Sequence, residues 1–170
     1  MSETLPLGVD LCLQDNYFDP GNSPVDGETW HYWLETWLGY LSDYLPVAAG
    51  YELSLRLTDD REIQTYNCQY RHKDQPTDVL AFAALEVDLP VDERILETEP
   101  LYLGDIIISV ETAQQQALTQ NHSLARELAW LTAHACLHLL GWDHPDETSL
   151  LEMLSLQETL LKTVEMPIHS

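Results

Sequence analysis

A chain of 170 residues, 45% of them apolar and five of them tryptophan, is long enough for one domain with a sizeable core and too apolar to remain disordered. Twenty-nine acidic residues against seven Lys and Arg leave a net charge of −22, which argues against broad electrostatic binding to nucleic acid. No apolar run of about 18 residues could span a membrane, the N-terminal stretch MSETLPLGVDLCLQDNYF has no signal-peptide layout, and Cys12, Cys68 and Cys136 form no disulfide framework, so a cytoplasmic protein is expected.

Taken in order, Val9 to Gln14 alternates loosely and reads as a strand. Asn16 to Gly27, with Pro20, Gly21 and Pro24, reads as loop. From Asp26 or Glu28 to Leu45 a helix is expected, because Trp30, Trp33, Leu34, Trp37, Leu38 and Leu41 recur at helical spacing. That aromatic stripe favours core packing over a base-stacking platform, and His31 within it has no ligand partner nearby in sequence. Tyr51 to Leu57 alternates as a half-exposed strand. Asp59 followed by Glu62 caps a short helix through Gln69. Tyr70 then opens a polar loop, which holds Arg71, His72 and Lys73, the one local basic spot that could meet a phosphate. DVLAFA follows as a buried strand, Leu85 to Pro100 as an acidic surface hairpin or flap, and Tyr102 to Ser109 as a strand inside the sheet. Helices are expected over Glu111 to Thr119, from a Ser123 cap to Leu140, and over Asp146 to Val164. Without internal repeat or linker, this order implies a single α+β domain over residues 1–170.

The densest chemistry lies in HACLHLLGWDH. His134 and His138 are four apart and share one helical face. Gly141 lets the chain turn back, and His144 returns with Pro145 behind it. Three imidazoles converging on a point with a fourth position open is the build of a catalytic zinc site. Cys136 sits about 200° around the helix from His134 and points away, as a small buried hydrophobe. The spacing His-x-x-x-His-x-x-Gly-x-x-His matches the metzincin peptidase box, but Ala135 stands where the box has its Glu base. Asp143 is placed to act as a base or as an orienting partner of an imidazole. Asp105 could hold a loop or a ligand, and Glu127 either hydrogen-bonds near the site or is an exposed acid.

Two stretches together carry a family resemblance. HACLHLLGWDH resembles the His-Gly-x-x-His-Leu-x-Gly-Tyr-Asp-His box of the YbeY family of metal-dependent endoribonucleases, and YRHKDQPTDVLAF resembles that family's Tyr-Arg-x-Lys-Asp-x-Pro-Thr-(Asn/Asp)-Val-Leu-Ser-Phe stretch. LGDIIIS is similar to its Leu-Gly-Asp strand, and the likeness covers roughly residues 51–163 in the family's order. The departures are Ala135 for Gly, Trp142 for Tyr and Ala81 for Ser.

The resemblance implies a zincin-like fold: a small mixed β-sheet packed with several helices, the metal-binding helix across the sheet. It implies His134, His138 and His144 as ligands of one zinc ion and Arg71 as the functional arginine. It also implies cleavage of single-stranded RNA in rRNA processing, notably 3′ end maturation of the small-subunit 16S rRNA, and a part in ribosome quality control. Zinc would acidify water to a pKa of about 7, and Arg71 would clamp phosphate oxygens. The expected partners are therefore ribosomal RNA, the ribosome and a ribosomal protein that delivers the RNA. The alternatives are a zinc metallopeptidase of metzincin-like architecture and a non-catalytic zinc-stabilised domain that binds ribosomal components. The general base, and hydrolysis against attack by the RNA 2′-OH, stay open.

Overall fold

Val9–Asp15 forms strand β1 and Gly50–Thr58 forms β2, in which Tyr51, Leu53, Leu55 and Leu57 are buried and the residues between them are half-exposed. The structure is a computed structural model and describes residues 8–84 and 99–164. Val79–Ala83 is β3 and Pro100–Ser109 is β4. The strands lie in the order β1-β2-β4-β3, with β1, β2 and β4 parallel and β3 antiparallel to β4. This mixed sheet, packed with helices, is the expected α+β class. Strand β4 is interior, so Ile106, Ile107 and Ile108 are all buried, as a strand covered on both faces requires.

Five α-helices are described: α1 (Gly27–Tyr40), α2 (Asp60–Arg71), α3 (Val110–Gln120), α4 (Leu124–Leu139) and α5 (Glu147–Thr163). Each begins on an oxygen-bearing cap, Asp26, Asp59, Ser109, Ser123 or Asp146, whose side chain accepts a backbone N–H of the first turn. No described helix is long and apolar enough to cross a membrane. The main core lies where α1, α4 and α5 meet one face of the sheet, with Trp30, Trp37, Leu55, Ile106 and Leu137 all fully buried. A smaller cluster, Ile63, Leu80 and Ile107, lies under α2 on the other face.

The tryptophan stripe is core. Trp30 and Trp37 are completely buried, which is worth roughly 4–6 kcal/mol each in gross hydrophobic terms. Trp37 also donates its indole N–H to the Leu160 carbonyl at 2.8 Å, locking α1 to α5. His31 places Nε2 2.8 Å from the Val9 carbonyl and so ties α1 to β1.

Two helix ends differ from expectation. Helix α1 stops at Tyr40 rather than Leu45, and Ser42–Tyr44 tightens into a 3-10 turn. Leu45 precedes Pro46 and is extended, because the proline ring disfavours the helical conformation in the residue before it. Helix α2 runs two residues past Gln69, so Arg71 is its last residue and not part of the following loop. The expected hairpin or flap from Leu85 to Pro100 lies, but for Glu99 and Pro100, outside the described residues.

One irregularity positions α4. The pairing of β2 with β4 shifts register between Glu52 and Leu53, leaving Leu103 as an extra residue before Gly104. Gly104 has φ +139°, and a Cβ there would stand 2.2 Å from the Phe82 carbonyl oxygen and 2.8 Å from a Leu139 methyl. Only glycine lets the sheet and the C-terminal end of α4 approach this closely.

Candidate metal centre and its cavity

Helix α4 is apolar on the side that meets the sheet and carries His134 and His138 on another. Leu128, Leu131, Leu137 and Leu139 are buried, while the two histidines are half-exposed. The helix closes in a Schellman arrangement: Trp142 N–H donates to the Leu137 carbonyl at 3.0 Å and Gly141 N–H to the His138 carbonyl at 3.1 Å. Gly141 takes φ +94°, and the reversed chain brings His144 back over the helix.

The three rings then face one another. Centroids lie 4.5 Å apart for His134 and His138, 5.9 Å for His134 and His144, and 5.6 Å for His138 and His144. One nitrogen from each falls within 4.8 Å of the others, and among the described residues this is the group able to hold a metal ion. The Nε2 atoms of His134 and His138 are 2.9 Å apart. Tetrahedral zinc with bonds of about 2.0–2.1 Å would set its nitrogens roughly 3.3 Å apart, so the spacing is close to what the ion demands.

Gln157, fully buried on α5, orients the first of these rings. Its Nε2 donates to the Trp130 carbonyl at 3.4 Å, which turns Oε1 toward His134 Nδ1 at 3.0 Å. That assignment puts the proton on Nδ1 and leaves the Nε2 lone pair facing the other imidazoles. Burial lowers the pKa of His138, and the neighbouring His134 lowers it further, against a backbone hydrogen bond with Trp142 that raises it. The neutral form, which ligates metal, is thereby favoured.

The histidines open into a cavity of about 690 Å³ that also has Arg71, Asp78, Ala135, Asp143 and Gln157 in its wall. Arg71 reaches this cavity through the end of α2. His72 takes a left-handed conformation, φ 59°, and stops the helix there. The loop beyond is strapped back by the buried Asn67, whose amide donates to the Gln75 carbonyl at 2.9 Å, and by Gln64 to the Asp74 carboxylate at 3.0 Å. Asp143 accepts the backbone N–H of His144 at 2.8 Å, so its recorded hydrogen bond shapes the turn. Ala135 lies in the cavity wall where a metzincin would place its glutamate, so that base has no counterpart at this position.

Two other acids lie elsewhere. Glu127 is buried, not exposed, and pairs with His122 at 2.6 Å instead of approaching the three histidines. Asp105 on β4 accepts from Ser54 and Tyr102 and lines a separate cavity. Among the polar and aromatic residues of the histidine cavity, Asp78, Trp130 and Gln157 had no site role in the sequence reading. Asp78 holds Val79 N–H at 2.7 Å and the Gln116 amide at 3.2 Å. Gln157 left one trace, a polar residue on the buried helical face of Met153, Leu160 and Leu161.

The family profile described as "Endoribonuclease YbeY" matches residues 18–165. The chain is 53% identical to the Endoribonuclease YbeY of Nostoc sp. PCC 7120, over 95% of this chain and 92% of that one. It is 58% identical to the Endoribonuclease YbeY of Trichormus variabilis, over 95% and 97%. In fold it is similar to the solution structure of TM1509 from Thermotoga maritima, with a TM-score of 0.55 at 22% identity, covering 92% of this chain and 88% of the other. The breadth of these matches, nearly end to end, shows that the chain belongs to the YbeY endoribonuclease family.

Proposed function

We propose that this protein is a cytoplasmic, single-strand-specific metallo-endoribonuclease that acts in rRNA processing, including 3′ end maturation of the 16S rRNA, and in ribosome quality control. The observation that carries this reading is one cavity in which Arg71 and the three histidines face the same space. His134, His138 and His144 would hold one zinc ion, and three imidazole nitrogens with no fourth protein ligand among the described residues suit a catalytic rather than a structural site. When bound, zinc supplies Lewis acidity at neutral pH. Arg71 offers a planar fork of donors to the oxygens of the scissile phosphate, stabilising charge as it builds up. Asp143, beside His144 in the same wall, is the candidate for moving a proton or steadying the ligand loop. Ala135 weighs against peptide hydrolysis, since it cannot accept a proton.

The test is incubation of the purified protein with single-stranded and duplex fragments of ribosomal RNA, with and without chelator, followed by end mapping. We expect chelator-sensitive cutting of single strands only. Arg71→Glu should lower the rate about a hundredfold, the scale of removing one donor aimed at developing charge. His138→Ala should lose the zinc found by metal analysis. Cleavage of peptides with RNA left intact would overturn the reading, and an unchanged zinc content in His138→Ala would overturn the ligand assignment.

A further inference from the structure

Trp130 stands in the wall of the histidine cavity. A second cavity of about 710 Å³ adjoins it, and Asp78, Trp130, Leu131 and Leu154 line both. Trp130 stands one helical turn before His134, about 6 Å along α4. It is half-buried, packs against the core and contributes to the wall of both cavities. Its carbonyl accepts from the same Gln157 amide that holds His134, so its place relative to the metal site is set by a shared hydrogen-bonded group.

The chemistry of the second cavity differs from that of the first. Its charged groups are Asp78, Glu127 and Glu158 against Arg126 and His122. Arg126 lies 3.4 Å from Glu158 and His122 lies 2.6 Å from Glu127, so each basic side chain has an acidic partner. A phosphate would meet a surplus of carboxylates there. A neutral planar group would not, and the amides of Gln116 and Gln120 in the same wall offer donors and acceptors to its edge. A half-buried indole and two amides in one cavity wall, one turn from a phosphate-directed centre, are the composition of a nucleobase subsite.

We propose that Trp130 and the second cavity take the base of a nucleotide flanking the scissile phosphate, stacked on the indole with its edge toward Gln116 and Gln120. The proposal rests on the endoribonuclease reading and adds a specificity-determining residue to it. Stacking tolerates every base, so Trp130 would favour a base that is free to leave its neighbours, as in single strands, over one locked in a duplex.

The test uses the zinc-loaded full chain and an RNA oligonucleotide with one mapped cleavage site, intact or with a single abasic ribonucleotide on either side of the scissile phosphate. In the wild type, one of the two abasic positions should lower kcat/KM about tenfold, mostly through KM, the scale of one lost base–aromatic stack. Trp130→Phe should keep that discrimination. Trp130→Leu should cut intact and abasic strands at the same reduced efficiency while keeping one zinc per chain. A wild type that leaves all RNA intact would overturn the endoribonuclease reading and this inference with it. A wild type that cuts RNA but treats intact and abasic strands alike would overturn the inference alone, whatever the folding of the variants. So would a Trp130→Leu variant that still discriminates.

Discussion

Gln157 is a residue whose effect on the metal would be indirect. It bridges the Trp130 carbonyl and the His134 ring at 3.4 and 3.0 Å from a fully buried position. Replacing it by leucine keeps the bulk but leaves the His134 Nδ1–H without this acceptor and the ring without its orienting bond. We expect Gln157→Leu to lower zinc affinity tenfold or more, as loss of such partners does, measured by competition with a chromophoric chelator. Unchanged affinity would mean that packing alone sets the ring. Cys136 supplies the opposite case, a reactive atom made inert. Burial pushes its thiol up to about 12, so at pH 8 it stays protonated and unreactive. Iodoacetamide followed by mass spectrometry should therefore label the exposed Cys12 and Cys68 in the native protein and spare Cys136. Labelling of Cys136 at a similar rate would reveal opening of α4. The histidines were legible in sequence because one helix and one turn carry all three, and spacing alone brings them together. Gln157 and Trp130 were not, since the first lies on another helix and the second reads as one more apolar residue of an amphipathic face. Glu127 misled for a related reason: helical phase places it near His134, but the partner that claims it, His122, precedes the helix.

At the level of elements, the histidine-bearing helix α4 depends on two glycines that act differently. At Gly104 both the left-handed φ and the crowding by Phe82 and Leu139 oppose any side chain. At Gly141 the surroundings are open, and a side chain meets only the backbone strain of φ +94°. Gly141→Ala should accordingly cost about 1–2 kcal/mol, whereas Gly104→Ala should cost on the order of 3 kcal/mol or more, with overpacking added to strain. Denaturant titration of the two variants checks the order, and equal losses would show that the sheet yields at Gly104 without resistance. The turn at Gly141 was legible in the sequence, but the role of Gly104 was not, because a bulge register and a contact between β4 and α4 are both long-range facts. Element types were legible where periodicity was strong, as in the leucines of β2 and the tryptophans of α1. Their ends followed local chemistry that periodicity does not carry. Pro46 holds Leu45 extended, so the 3-10 turn that follows α1 goes no further than Tyr44, and His72 closed α2 late enough to make Arg71 helical.

Across the whole molecule, the net charge of −22 sets the terms on which any RNA can be met. Among the residues lining the histidine cavity Arg71 is the one Lys or Arg, and in the second cavity Arg126 is already paired with Glu158. A protein that neutralises several phosphates binds single strands with a log–log salt slope of about −0.7 per contact. With one or two contacts the slope here should lie between about −0.7 and −1.4. Added salt would also screen the repulsion between the acidic surface and the RNA, since the Debye length is about 10 Å at 0.1 M, and this acts in the opposite direction. The two effects together predict that KM for a short single strand changes by only a few-fold between about 50 and 200 mM salt, where a basic binder with about 6–10 contacts at the single-strand slope would lose roughly 300-fold to 20,000-fold. Arg71→Gln should flatten the dependence further, removing close to one contact. A slope steeper than about −3 in the wild type would point to a basic path for the strand, and the acidic composition would then have misdirected the account of how RNA reaches the site.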